Sequence, residues 1–170
     1  MSFFTSILNE SICGSTSQVL SSTPKLFGVV NNGNIDEMRN LLESGTDPNV
    51  RDENGRTALF HLSHKGHQAG ARLFLQKGAD PNVTDLEDQT PLYCAVWSGH
   101  YAMVKLLLEN GAMIDKTDKR DNSHLHLACS RCANPEIAEL LLENGSDPSI
   151  YNKKGQTPLF GACEEGNELL

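Results

Sequence analysis

Two stretches of this chain are near copies of each other: residues 99–115, GHYAMVKLLLENGAMID, and residues 134–149, NPEIAELLLENGSDPS. Each carries apolar residues at helical spacing, Met103, Val104, Leu106 and Leu107 in the first, Ile137, Ala138, Leu140 and Leu141 in the second. Each helix so implied ends at a glycine, Gly111 or Gly145, the residue best able to take a left-handed C-terminal cap.

Outward from these copies the same step recurs. Gly45, Gly78 and Gly111 follow one another every 33 residues, with Gly145 after 34. Thr57 and Thr90 keep the step of 33, as do Leu59, Leu92 and Leu125, and also Gly33, Gly66 and Gly99. A fixed period of this size signals stacked supersecondary units, not one closed core.

Within a period the layout is constant. A first helix opens at Thr90-Pro91-Leu92 or Thr157-Pro158-Leu159, where Thr caps and Pro sits at a position whose N–H has no helical partner. Leu92, Ala95 and Val96, then Leu125, Ala128 and Cys129, supply its apolar face. Gly66 or Gly99 breaks the chain before the second helix. Asp47-Pro48-Asn49 and Asp80-Pro81-Asn82 then give turn chemistry leading into a hairpin-like connection.

A period of 33 with T-P-L-x-x-A, L-L-x-x-G-A-D and D-x-x-G resembles the ankyrin repeat. The resemblance covers residues 22–170 and implies an all-α solenoid of helix-turn-helix units joined by β-hairpin-like loops. Repeats are expected at 22–53, 54–86, 87–119, 120–153 and 154–170. The first, with Pro24-Lys25-Leu26 for T-P-L, reads as a capping unit, the fourth has an insertion near Cys132-Ala133, and the fifth is incomplete. Terminal repeats need a polar outer face. The chain therefore reads either as part of a longer array or as one capped by the first helix of repeat five. The tail, residues 1–21, carries Phe3, Phe4, Ile7, Leu8 and Ile12 at helical spacing. It reads as a helix packed on repeat one, or as a partner-binding or membrane-surface helix.

Composition narrows the function classes. Twenty-two acidic against fourteen basic residues give a net charge of −8, which opposes non-specific attraction to nucleic acid or anionic membranes. No apolar run reaches the roughly 20 residues that span a bilayer. Five cysteines, an odd number, four of them in helix-like segments, read as reduced thiols of a cytoplasmic or nuclear protein. A monomer is expected for the chain alone.

The resemblance implies protein binding on a concave surface formed by the hairpin tips and the exposed face of each first helix. Carried over by motif, the variable positions are Glu53, Asn54, Arg56, His64 and Lys65, then Leu86, Glu87, Gln89, Trp97 and Ser98. They continue through Lys119, Arg120, Asn122, Ser130 and Arg131 to Lys153, Lys154, Gln156, Glu164 and Glu165. Trp97, the sole tryptophan, has two readings: an interface anchor, or a ring lying flat on neighbouring helices. The tip charges run from acidic (Asp52, Glu53, Asp85, Glu87, Asp88) to basic (Lys119, Arg120, Lys153, Lys154). That gradient either steers a partner into register or keeps the array solvated.

Two departures from the pattern carry structural expectations. Asp88 and Asp121 stand where the tip wants glycine, implying a strained or altered turn. Phe60, Tyr93 and Phe160 stand where the family has the histidine that His126 keeps, so the histidine's hydrogen bond is expected to be lost there and replaced by packing.

Chemistry beyond binding finds little support. His124, His126, Cys129 and Cys132 are four potential zinc ligands within nine residues, but a tetrahedral site wants convergence from separate segments. A Cys/His nucleophilic pair has no oxyanion donor or deep pocket to serve it. No phosphate-cradling loop or dinucleotide-binding glycine cluster is present. The sequence therefore points to a binding module without catalytic residues, metal or cofactor. The competing reading is the N-terminal scaffold of a larger protein whose activity lies beyond Leu170.

Overall fold

The computed structural model describes residues 25–130 and 134–164. The tail of residues 1–21, the insertion at Cys132-Ala133, Arg131, Glu165 and the second helix of repeat five all lie outside the described residues. The helices are α1 (25–32), α2 (Ile35–Glu43), α3 (Ala58–Lys65), α4 (Gln68–Gln76) and α5 (Pro91–Trp97). They continue with α6 (Tyr101–Glu109), α7 (His124–Ser130), α8 (Pro135–Glu143) and α9 (Pro158–Glu164).

Local chemistry sets each boundary. Thr57 and Thr90 cap α3 and α5, their hydroxyls accepting from the Phe60 and Tyr93 N–H groups at 3.4 and 3.1 Å. Pro91 and Pro135 occupy first-turn positions of α5 and α8. Gly66 (φ 68) stops α3 with a left-handed residue, and Gly99 (φ 71) follows α5 in the same way. The second helices share one exit. Gly78 and Gly111 take φ of 90 and 84, and the next N–H groups, of Ala79 and Ala112, reach back to the Phe74 and Leu107 carbonyls. That pairing satisfies carbonyls the helix would otherwise leave bare.

The helices stack in chain order. The first helices form one row, α3 against α5, α5 against α7, α7 against α9; the second helices form another, α2, α4, α6, α8. In the three middle periods the two helices also pack together, α3 with α4, α5 with α6 and α7 with α8. The core is thus a strip laid along the stack and refilled at every step. Leu59, Leu92 and Leu125 occupy the same position in successive first helices and are 0%, 0% and 2% exposed. Burying a leucine fully stabilises by about 1.5–3 kcal/mol, so each joint rests largely on such contacts. Leu159, the equivalent residue of α9, is 61% exposed.

Polar ladders register the joints. At the tips, the N–H groups of Leu86, Lys119 and Lys153 donate to the carbonyls of Asn54, Glu87 and Arg120 one repeat earlier, at 3.0–3.2 Å. At the turns following the second helices, the amides of Asn49 and Asn82 bridge to the next repeat. Asn49 donates to the Gly78 carbonyl and accepts from the Asp80 N–H; Asn82 does the same with Gly111 and Met113. Isolated antiparallel bridges, Arg51 with Thr57 and Thr117 with Ser123, close two of the hairpins. The positive φ expected at Asp88 and Asp121 is present, 61° at both.

Candidate protein-binding surface

The tip and first-helix face holds a shallow trough of about 540 Å³ spanning α3, α5 and α7. Arg56, His64, Glu87, Gln89, Trp97, Lys119, Arg120, Asn122 and Ser130 line it, together with Phe60, Tyr93 and His126. A second trough of about 400 Å³ continues it between α7 and α9, lined by Arg120, Asn122, Lys153, Lys154 and Gln156. The fold therefore brings most of the sequence-derived surface together. Glu53, Lys65 and Leu86 are exposed but line neither trough. Lys65 turns toward the first helix pair, its Nζ donating to the Asn31 backbone and side-chain oxygens.

Trp97 packs on its own helix and also faces the trough. Its ring stacks on Tyr93 with centroids 6.5 Å apart and planes 13° apart, yet it stays 39% exposed at the trough. A ring pre-oriented by a neighbour loses little freedom when a partner covers its open side.

The tip charges need correcting. Asp52 and Asp85 are not outward acidic tips. Asp85 is 6% exposed, accepts the Glu87 and Gln89 N–H groups on Oδ1, and takes the Arg56 Nε at 3.3 Å on Oδ2. Asp52 accepts the Asn54 and Arg56 N–H groups and pairs with His61 at 2.9 Å. Burial raises its carboxyl, but the Arg56 N–H, the His61 ring and the Asn54 N–H together hold it below the ordinary carboxylate value. Asp118 and Asn152 cap their hairpins in the same way. A short acceptor at the first tip position satisfies two backbone donors, and the chain spends Asp or Asn on that task.

The position expected to lose its hydrogen bond also departs from expectation. His126 accepts the Ser123 N–H on Nδ1, so its Nε2–H donates across the joint to the Gln156 carbonyl at 2.9 Å. Tyr93, one repeat earlier, keeps an equivalent crossing: its phenol donates to Asp118 Oδ2 at 3.3 Å. Burial and the adjacent Asp118 carboxylate push that phenol above its ordinary value, so it stays a donor. At Phe60 packing does substitute, with the Arg56 guanidinium 4.9 Å from the ring centroid while Arg56 reaches Asp85. Three different side chains thus tie three successive joints.

Behind the tips lies His124, 1% exposed. Its Nδ1–H donates to the Ile114 carbonyl, and Nε2 accepts the Thr90 hydroxyl at 3.0 Å. Both nitrogens of His124 and of His126 are thereby committed to structure. Cys129 is pushed up to about 11 by burial, and Cys94 to about 12 by burial and the Asp85 carboxylate, so neither thiol carries appreciable thiolate near neutral pH. Among the described residues no cluster of three or more His, Cys, Asp or Glu side chains is placed to hold a metal ion. No helix among them is long and apolar enough to cross a membrane.

Sequence reasoning missed the tip ladder, the Tyr93–Asp118 bond and the structural duty of His124. A signal for the inward acids was available: Asp52, Asp85 and Asp118 recur at the period, and what recurs belongs to the scaffold.

Comparison with known proteins agrees with the stacked architecture. A family model described as ankyrin repeats (3 copies) matches residues 26–120, and one described as ankyrin repeats (many copies) matches residues 114–160. NF-kappa-B inhibitor alpha from Sus scrofa is 55% identical over 42 residues, which is 25% of this chain and 13% of that protein. The chain therefore spans a small part of the curated relative it matches. The repeats of these models are protein–protein interaction modules. With helix pairs piled in sequence order and the repeat model covering more than half its length, the chain belongs to the ankyrin-repeat family.

Proposed function

We propose that the chain binds another protein on the tip and first-helix face, with Trp97 at the centre and Arg56, Gln89, Lys119, Arg120 and Asn122 around it, and that it carries out no catalysis there. The observation that supports this most is the pairing of a stacked, part-exposed tryptophan with a polar rim along one continuous trough. Aromatic anchors ringed by polar groups are where binding energy concentrates in interfaces. A shallow trough in which the Cys94 thiol is buried and the His126 imidazole is committed to hydrogen bonds offers little to chemistry.

The mode of action we favour is occlusion or adaptation: a bound partner surface is covered, as the name of the inhibitor relative implies for that protein. The buried thiols of Cys94 and Cys129 fit a reducing compartment, cytoplasm or nucleus. To test the surface, Trp97→Ala and Arg120→Ala are compared with the parent chain by capture from the source cell and mass spectrometry. Loss of the same captured proteins in both, with helical circular dichroism preserved, is the expected result. An unchanged set of captured proteins would remove this face from consideration.

A further inference from the structure

The described residues lining the trough between α7 and α9 include Arg120, Lys153 and Lys154 and no carboxylate. This is unexpected in a chain of net charge −8. It arises because the hairpin acids are spent inside: Asp118 turns both oxygens toward the Arg120 and Asn122 N–H groups, the Asn122 amide and the Tyr93 phenol. At the equivalent position of the next tip stands Asn152, which caps the hairpin with no charge at all. The cations beside them are only partly offset. Lys119 pairs with Glu87 at 3.4 Å, and Lys153 stands 4.0 Å from Asp121. Arg120 and Lys154 have no ion pair among the described residues, and both are exposed.

This trough is continuous with the Trp97 trough. Arg120, Asn122, His126 and Ser130 line both. A path along the surface therefore leads from a flat aromatic ring to a cationic channel floored by uncharged amides and hydroxyls.

We infer that the occupant of this channel is an acidic linear segment of the partner protein, its carboxylates over Arg120, Lys153 and Lys154 and an aromatic or aliphatic side chain against Trp97. The inference rests on the reading of this face as the binding surface and adds the chemistry of the partner. Charge complementarity selects the occupant: one-signed channels raise the local concentration of the opposite sign and speed encounter. The overall −8 charge repels long polyanions at a distance, so a short acidic stretch is favoured over nucleic acid.

The test uses a fluorescein-labelled peptide of alternating glutamate and glycine ending in one phenylalanine, with binding to the full chain read by fluorescence anisotropy. Binding is expected at low salt and to weaken as salt rises. The double variant Arg120→Glu with Lys154→Glu is expected to weaken it roughly tenfold or more, and Arg72→Glu, an exposed residue on α4, by less than about twofold. If the double reversal lowers the melting temperature, Arg120→Gln with Lys154→Gln replaces it, with a smaller loss expected. Equal binding of a lysine–glycine peptide, no binding of the glutamate peptide at low salt, or insensitivity to the Arg120 and Lys154 changes would each overturn the inference. So would tighter binding of a single-stranded DNA of matched charge. A photo-crosslinker placed at position 97 separates the two claims. Crosslinks to a partner protein without acidic-peptide binding remove only the partner's chemistry; no crosslink at position 97 removes the surface itself.

Discussion

At the hairpin tips of repeats three and four, residues two places apart do opposite jobs. Asp85 and Asp118 face inward, 6% and 8% exposed, with Oδ1 taken by hairpin N–H groups and Oδ2 by Arg56 or Tyr93 of the preceding repeat. Glu87 and Arg120, two residues further on, are exposed, and their side chains differ from repeat to repeat while their carbonyls serve the tip ladder. The inner residue holds the loop in shape and the outer one is open to change. Stability and recognition are thereby carried by different atoms of the same turn, so one can vary without disturbing the other.

That contrast can be attacked first through the buried side of the α5–α7 joint. Burial lowers His124 to about 4 from 6.5, against the opposing pull of the Ile114 carbonyl, Asp115 and Asp118. A depressed histidine favours folding above the unfolded value of 6.5 and loses that contribution as pH falls through about 4, where the folded ring must also accept a proton. The loss amounts to about 3 kcal/mol. Urea unfolding between pH 7 and pH 4 reads it, and His124→Gln should flatten the slope. Asp52 and Asp147 are both held below the ordinary 3.8, so their contributions fade only at lower pH and leave this window clear.

The second prediction compares the two sides of one tip directly. Asp118→Ala strands the Tyr93 phenol and two hairpin N–H groups and should destabilise by about 2 kcal/mol. Arg120→Ala should stay within about 0.5 kcal/mol of the parent, because it is exposed and makes no ion pair among the described residues. Equal losses in denaturant titrations would break the distinction between inner and outer residues.

The smallest effect has the opposite sign. Asp88 and Asp121 hold φ of 61°, a region that costs a residue with a Cβ more than it costs glycine. Asp121→Gly should raise stability by about 0.5–1 kcal/mol in the same titration, since Asp121 gives up only a 4.0 Å contact with Lys153.

How far the sequence carried the account follows from what repetition exposes. The helix pairs, their glycine exits and the stacked core are legible because Gly45, Gly78 and Gly111 and Leu59, Leu92 and Leu125 mark the same physical place each time. The trough was legible as a set of changing residues beside fixed ones. The inward turn of Asp52 and Asp85 is not legible because charge alone implies an outward side chain, whereas the hairpin's N–H groups draw a short carboxylate inward. The Tyr93 hydrogen bond is not legible because its acceptor, Asp118, lies in the next repeat. Pairings between repeats depend on how far one unit advances over the last, and a one-dimensional pattern does not carry that distance.

Hydrogen–deuterium exchange of the chain with a captured partner bound tests the central claim most directly. The account predicts slowed exchange at the tips, residues 85–89 and 118–122, and at the exposed end of α5, with α4, α6 and α8 unchanged. Protection confined to the second-helix row, with the tips exchanging as in the free chain, would contradict it.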